Sequence, residues 1–109
     1  MRENFITIKE VNLKHILFSD GSEITDCHYA DCCEYNYADY TQIDDIARQT
    51  RFTLPLDFES VEGSGFRFGN LPNKMFFIPC YSEQSGYYSS DVDILYNGDY
   101  VLTAESEII

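Results

Sequence analysis

Basic residues are scarce in this chain: seven Lys and Arg among 109 residues, against nineteen Asp and Glu, for a net charge of −12. Affinity for a phosphate backbone is supplied by Lys and Arg, so direct nucleic-acid binding is excluded. Anionic membrane surfaces are excluded for the same reason. No apolar run approaches the ~20 residues that span a bilayer. Met1-Arg2-Glu3-Asn4 leads into an alternating pattern and not into a signal-peptide core, so residence in the cytoplasm is expected. Four cysteines without a secretion signal do not make a disulfide scaffold, and reduced thiols are expected. There is no tryptophan, no low-complexity tract and no linker-like stretch, which leaves a single domain over residues 1–109.

What is present is apolar and aromatic. The hydrophobic fraction is 44%, with nine Tyr and eight Phe, a composition that builds a core and argues against disorder. Phe5 to Glu10 alternates as a first strand. His15-Ile16-Leu17-Phe18 reads as a second strand, and Asp20-Gly21 turns it into a third from Glu23 to Tyr29. On that third strand Ile24, Asp26 and His28 share one face, while Glu23, Thr25, Cys27 and Tyr29 share the other.

Asp31 to Thr50 reads as helical in two pieces. Cys33, Tyr37 and Tyr40 fall at spacings of four and three, one apolar stripe. Thr41 reads as an N-cap with Asp44 three residues on. Asp44 and Asp45 suit a helix start, and Arg48 a helix end. Strand patterns resume in Phe52-Thr53-Leu54, Phe66-Arg67-Phe68, a central buried Met75-Phe76-Phe77-Ile78, and Val92 to Tyr96. Asn97-Gly98 then gives a type I′ turn into Tyr100–Ala104. The fold class expected is α+β: mostly antiparallel sheet with a short helical segment inserted after the first hairpin.

The acids are unevenly placed. Residues 18–47 hold eight and no Lys or Arg; from Met75 onward there are six, again with none. The partners implied are basic: a metal ion, or a protein surface built to hold nucleic acid. Cys27, His28, Cys32 and Cys33 lie close in sequence, but their spacing departs from the paired C-x₂₋₄-C knuckles of structural zinc. The thiols are expected to pack the joint between sheet and helix, with Cys80 across the core. A dyad of Cys32 or Cys33 with His28 or His15 would sit beside Asp31 and Glu34, which raise a thiol's pKa. Gly63-x-Gly65 lacks the Gly and Lys of a phosphate loop. No catalytic residue, metal ligand or cofactor is therefore assigned.

Three stretches occur in combination: Phe18-Ser19-Asp20-Gly21-Ser22 with Asp26-Cys27-His28; Asp31-Cys32-Cys33-Glu34 with Tyr37-Ala38-Asp39; and Ile78-Pro79-Cys80-Tyr81 with Gly86-Tyr87-Tyr88-Ser89-Ser90. Together they resemble a family of small uncharacterised proteins encoded by phages, prophages and gut-type bacteria. The likeness extends from about Phe18 to Tyr96. The family has no assigned activity, so no catalytic residues carry over. A phage setting implies, by analogy with small acidic phage proteins, an inhibitor of host defence such as an anti-CRISPR protein. The expectation is a non-enzymatic protein of the host bacterial cytoplasm. It binds a basic host protein, a nucleic-acid-handling nuclease, through Asp31, Glu34, Asp39, Asp44, Asp45, Glu83, Asp91 and Asp93, with Tyr87 and Tyr88 as aromatic contacts. The alternatives are a metal- or thiol-dependent protein built on Cys27, His28, Cys32 and Cys33, and a phage structural or housekeeping component.

Overall fold

The computed structural model describes residues 5–27, 36–83 and 91–109. Twelve strands and two 3-10 turns make up the described chain. The strands are β1 (Phe5–Ile6), β2 (Ile8–Val11), β3 (Ile16–Phe18), β4 (Glu23–Cys27), β5 (Asn36–Ala38), β6 (Phe52–Thr53), β7 (Asp57–Val61), β8 (Gly65–Asn70), β9 (Lys74–Ser82), β10 (Asp91–Tyr96), β11 (Asp99–Glu105) and β12 (Glu107–Ile108). The turns are η1 (Tyr40–Gln42) and η2 (Asp45–Gln49).

The class is all-β, which corrects the α+β expectation: no α-helix occurs among the described residues. Residues 36–38, expected to be helical, pair instead with β9, and Tyr37 stands opposite Tyr81. The 4-and-3 spacing of Cys33, Tyr37 and Tyr40 is not a helical stripe, because Tyr37 lies on a strand and Tyr40 on a 3-10 turn. Aspartates set this local structure. Asp39 accepts from Thr41 N to cap η1, and Asp44, not Thr41, caps η2 by accepting from Ile46 N. Such side-chain-to-backbone bonds compete with α-helix and favour short turns.

Two five-stranded sheets carry the fold. The first runs β11-β10-β4-β3-β2; in the second, β12-β9-β8-β7 is joined by β5, which pairs with β9. A short β1–β6 ladder adds Phe52 to the interior. The Asp20-Gly21 turn joins β3 to β4, with Gly21 at φ +88°. Asn97 and Gly98, at φ +53° and +84°, form the turn between β10 and β11, the conformation a type I′ hairpin demands. Period-two alternation then sends Ile16, Phe18, Ile24, Val92 and Ile94 inward from the first sheet, and Phe66, Phe68, Ile78 and Cys80 inward from the second.

β9 is not buried along its whole length, as its apolar sequence implied. It pairs with β8 over Lys74–Pro79 and meets β5 and β12 only near Cys80–Ser82. Phe77 is 40% exposed. Around the β8–β9 hairpin the interior is aromatic: Phe18 meets Phe52, Phe68 and Tyr96 edge-on, and Phe52 meets Phe76 in the same way. Gly69 faces the carbonyl of Lys74 across this hairpin so closely that any side chain would strike it. Its φ of +142° also belongs to glycine.

Candidate partner-binding face

The opposite end of β9 has a polar interior. Asp26 projects inward from β4, as the alternation required, and accepts from the Tyr40 hydroxyl at 2.7 Å and from Ala38 N at 3.2 Å. Tyr40 is fully buried. Burial, then the charge of Asp26, pushes its hydroxyl far above the ordinary tyrosine value, so it stays a donor. Cys80 is buried in the core, where the sequence placed it. Burial and the same carboxylate push its thiol up to about 12, a setting in which a thiolate nucleophile does not form. Beyond it, Ser82 Oγ donates to Asn36 Oδ1 at 2.5 Å, and Asn36 Nδ2 donates to Asp91 O at 3.3 Å.

Asn36 thereby fastens β5, β9 and β10 together, and with them the two acidic stretches of the sequence. Asp39 follows β5, Glu83 follows β9, and Asp91 opens β10 opposite Glu105 of β11. Glu107 of β12 stands opposite Tyr81 through a parallel pairing. β5, β10, β11 and β12 contain neither Lys nor Arg, and the one base of β9, Lys74, is at its far end. Carboxylates directly opposed across strands, as in the Asp91–Glu105 pair, disfavour folding. Glu105 has a local tie as well, accepting from Gly63 N at 3.1 Å.

Burial pushes the Asp39 carboxyl up, but bonds from Thr41 Oγ1, Gln42 Nε2 and Thr41 N outweigh it and leave Asp39 below the ordinary value. It is a fixed anion at neutral pH. Asp93 lies on the outer face of the first sheet and accepts from Thr103 Oγ1 at 2.9 Å. Asp44 and Asp45 are exposed at η2, which packs against β2, and so stand apart from the β9 group. The sequence reading missed Tyr37, Gln42, Glu105 and Glu107 as members of this face. The register of β5, β11 and β12 brings Tyr37, Glu105 and Glu107 to it, and Gln42 reaches it from η1 through the Tyr81 hydroxyl; register across long sequence separations leaves no local signal.

Asp31, Glu34, Tyr87 and Tyr88 lie outside the described residues, as do His28, Cys32 and Cys33 of the alternative cluster. Among the described residues, no three His, Cys, Asp or Glu side chains come together as metal ligands. His15, considered as a partner for a cysteine, is held instead by two carboxylates. Its Nδ1 is 2.9 Å from Glu23 and its Nε2 2.9 Å from Glu10. The Glu10 bond does most to raise its pKa; partial burial opposes the shift, and Glu23 reinforces it.

Comparison with protein-family models, with curated proteins and with solved structures finds no match. No helix among the described residues is long and apolar enough to cross a membrane.

Proposed function

We propose that the protein is a non-enzymatic binding protein that occupies a cationic, nucleic-acid-handling surface of a host protein and so inhibits it. The target class is a CRISPR effector nuclease, which the phage resemblance implies. The observation that carries this reading is the convergence of Asp39, Glu83, Asp91, Glu105 and Glu107 around the end of β9, with no Lys or Arg in β5, β10, β11 or β12. A one-signed cluster on a firm sheet presents carboxylates to a groove built for phosphates, and long-range attraction speeds encounter.

The test uses purified effector nucleases and the intact protein. Binding should be displaced by DNA and should weaken steeply with salt. Changing Asp91, Glu105 and Glu107 to their amides should weaken it at least ~10-fold in protein that melting curves show to be folded, since breaking a close charge pair across an interface costs about a kcal/mol or more. Binding that is indifferent to DNA and to these changes would overturn the reading.

A further inference from the structure

The outer face of the second sheet, at the end where β5 and β12 flank β9, has a distinct chemistry. Tyr37, Tyr81 and Glu107 form one cross-strand row. Residues in register share a face, so both rings and this carboxylate project from the same side of the sheet. The rings pack against each other with centroids 5.9 Å apart and planes tilted by 51°. Asp39, whose N–H bonds to Pro79 O, lies one row to one side, and Glu83 lies two residues beyond Tyr81 on the other. By alternation both share the tyrosine face. The Tyr37 hydroxyl is pushed above its ordinary value by burial, then by the charges of Glu83 and Asp39, which places both carboxylates within electrostatic reach of that ring.

The tyrosines are also held in position. Gln42 Nε2 donates to the Tyr81 hydroxyl at 3.0 Å and to Asp39 Oδ2 at 2.9 Å, so one amide from η1 spans the aromatic pair and the nearest acid. Along β8 and β9, the nearest base on this face is Arg67, opposite Phe77, and it is already engaged by Glu59. Two half-buried tyrosines with three carboxylates on the same side of the sheet, and that guanidinium already paired, complement a cation that is both charged and flat.

We propose that this face is the docking site for an arginine-bearing segment of a basic protein, the guanidinium stacking on the Tyr37–Tyr81 pair between Asp39, Glu83 and Glu107. The inference rests on the binding function above and narrows it to one patch and one side chain. A guanidinium is planar and weakly hydrated, so it stacks on a tyrosine while its N–H groups reach carboxylates at the rim. A lysine ammonium, compact and strongly hydrated, matches the charge but not the ring faces.

The experiment titrates the intact protein with a short oligo-arginine peptide and an oligo-lysine peptide of equal length, by calorimetry. Oligo-arginine should bind at least ~3-fold tighter than oligo-lysine. Tyr81→Phe should retain this binding, and Tyr81→Leu should lose ~5-fold or more. The pair Glu83→Gln and Glu107→Gln should weaken binding well beyond the pair Asp45→Asn and Asp99→Asn, which removes the same charge from η2 and from the start of β11. Melting curves confirm that each variant is folded, and the Gln pair decides the matter if Tyr81→Leu is not. Equal affinity for both peptides, with the two charge-removing pairs equally weakened, would overturn the proposal. A nuclease captured in a DNA-sensitive manner by wild type and Tyr81→Leu alike would overturn it too, leaving the wider function standing. Oligo-arginine binding as expected, with no effector nuclease bound, would support this site and count against the nuclease target.

Discussion

The two ends of β9 belong to one strand and differ in almost every physical respect. At the hairpin end the interior is a stack of phenylalanines, the charge on the outer face is neutralised by the Arg67–Glu59 pair, and β9 pairs with β8 in unbroken register. At the other end the interior is hydrogen-bonded, through Asp26, Tyr40, Asn36 and Ser82, and the acids outside carry one sign. Hydrophobic burial is non-directional and tolerates repacking, whereas a hydrogen-bonded interior fixes positions. The first end holds the sheets together. The second sets the places of strands that carry charge and otherwise repel one another.

The largest expected effect breaks the aromatic end. Phe52 is fully buried and touches Phe18, Phe68 and Phe76. Phe52→Ala should cost ~3–5 kcal/mol of stability by denaturant titration, while partner affinity per folded molecule stays the same. A smaller effect falls on the polar end. Tyr40→Phe removes the hydroxyl that donates to Asp26, and should cost ~1–3 kcal/mol. Here partner affinity should fall as well, because η1 and β5 lose the bond that seats them. A Tyr40→Phe protein of reduced stability and full affinity would show that the polar interior does not position the acidic face.

The smallest effect concerns His15, which belongs to neither end. Its pKa is raised in the fold by Glu10 and Glu23 from the ordinary 6.5. The stabilisation is therefore complete below about pH 6.5 and is lost as pH rises through the higher folded value. Replacing both glutamates by glutamine should flatten this part of the stability profile, measured by melting temperature against pH, and leave the rest in place.

Much of this architecture is legible in the residues. Asp20-Gly21 and Asn97-Gly98 announce their turns because few residues tolerate positive φ, and the alternation of Ile24 with Thr25, or of Val92 with Asp93, announces which face is buried. The misread segment shows the limit. A three-residue strand followed by two capped turns places Tyr37 and Tyr40 at a spacing that mimics a helix, and what makes β5 a strand is an edge of β9 more than forty residues away. The acidic stretches were visible as composition. Their convergence was not, because it depends on Asn36 reaching both Ser82 and Asp91, and on the parallel pairing of β12. The aromatic partner of the acids was sought at Tyr87 and Tyr88, outside the described residues. Among those described, Tyr37 and Tyr81 pack ring against ring, and Gln42 ties Tyr81 to Asp39.

Cys80 marks the boundary between the two ends, and its burial gives the molecule a gauge. A sulfur sealed beneath the sheets can be alkylated only in the moments when β9 parts from its neighbours. Where reclosing outpaces alkylation, the labelling rate at that sulfur reads the fraction of time the strand stands open, and so the free energy of that local opening. A partner that clasps the acidic end would slow the labelling, and one that lodged at the hairpin would leave it nearly unchanged.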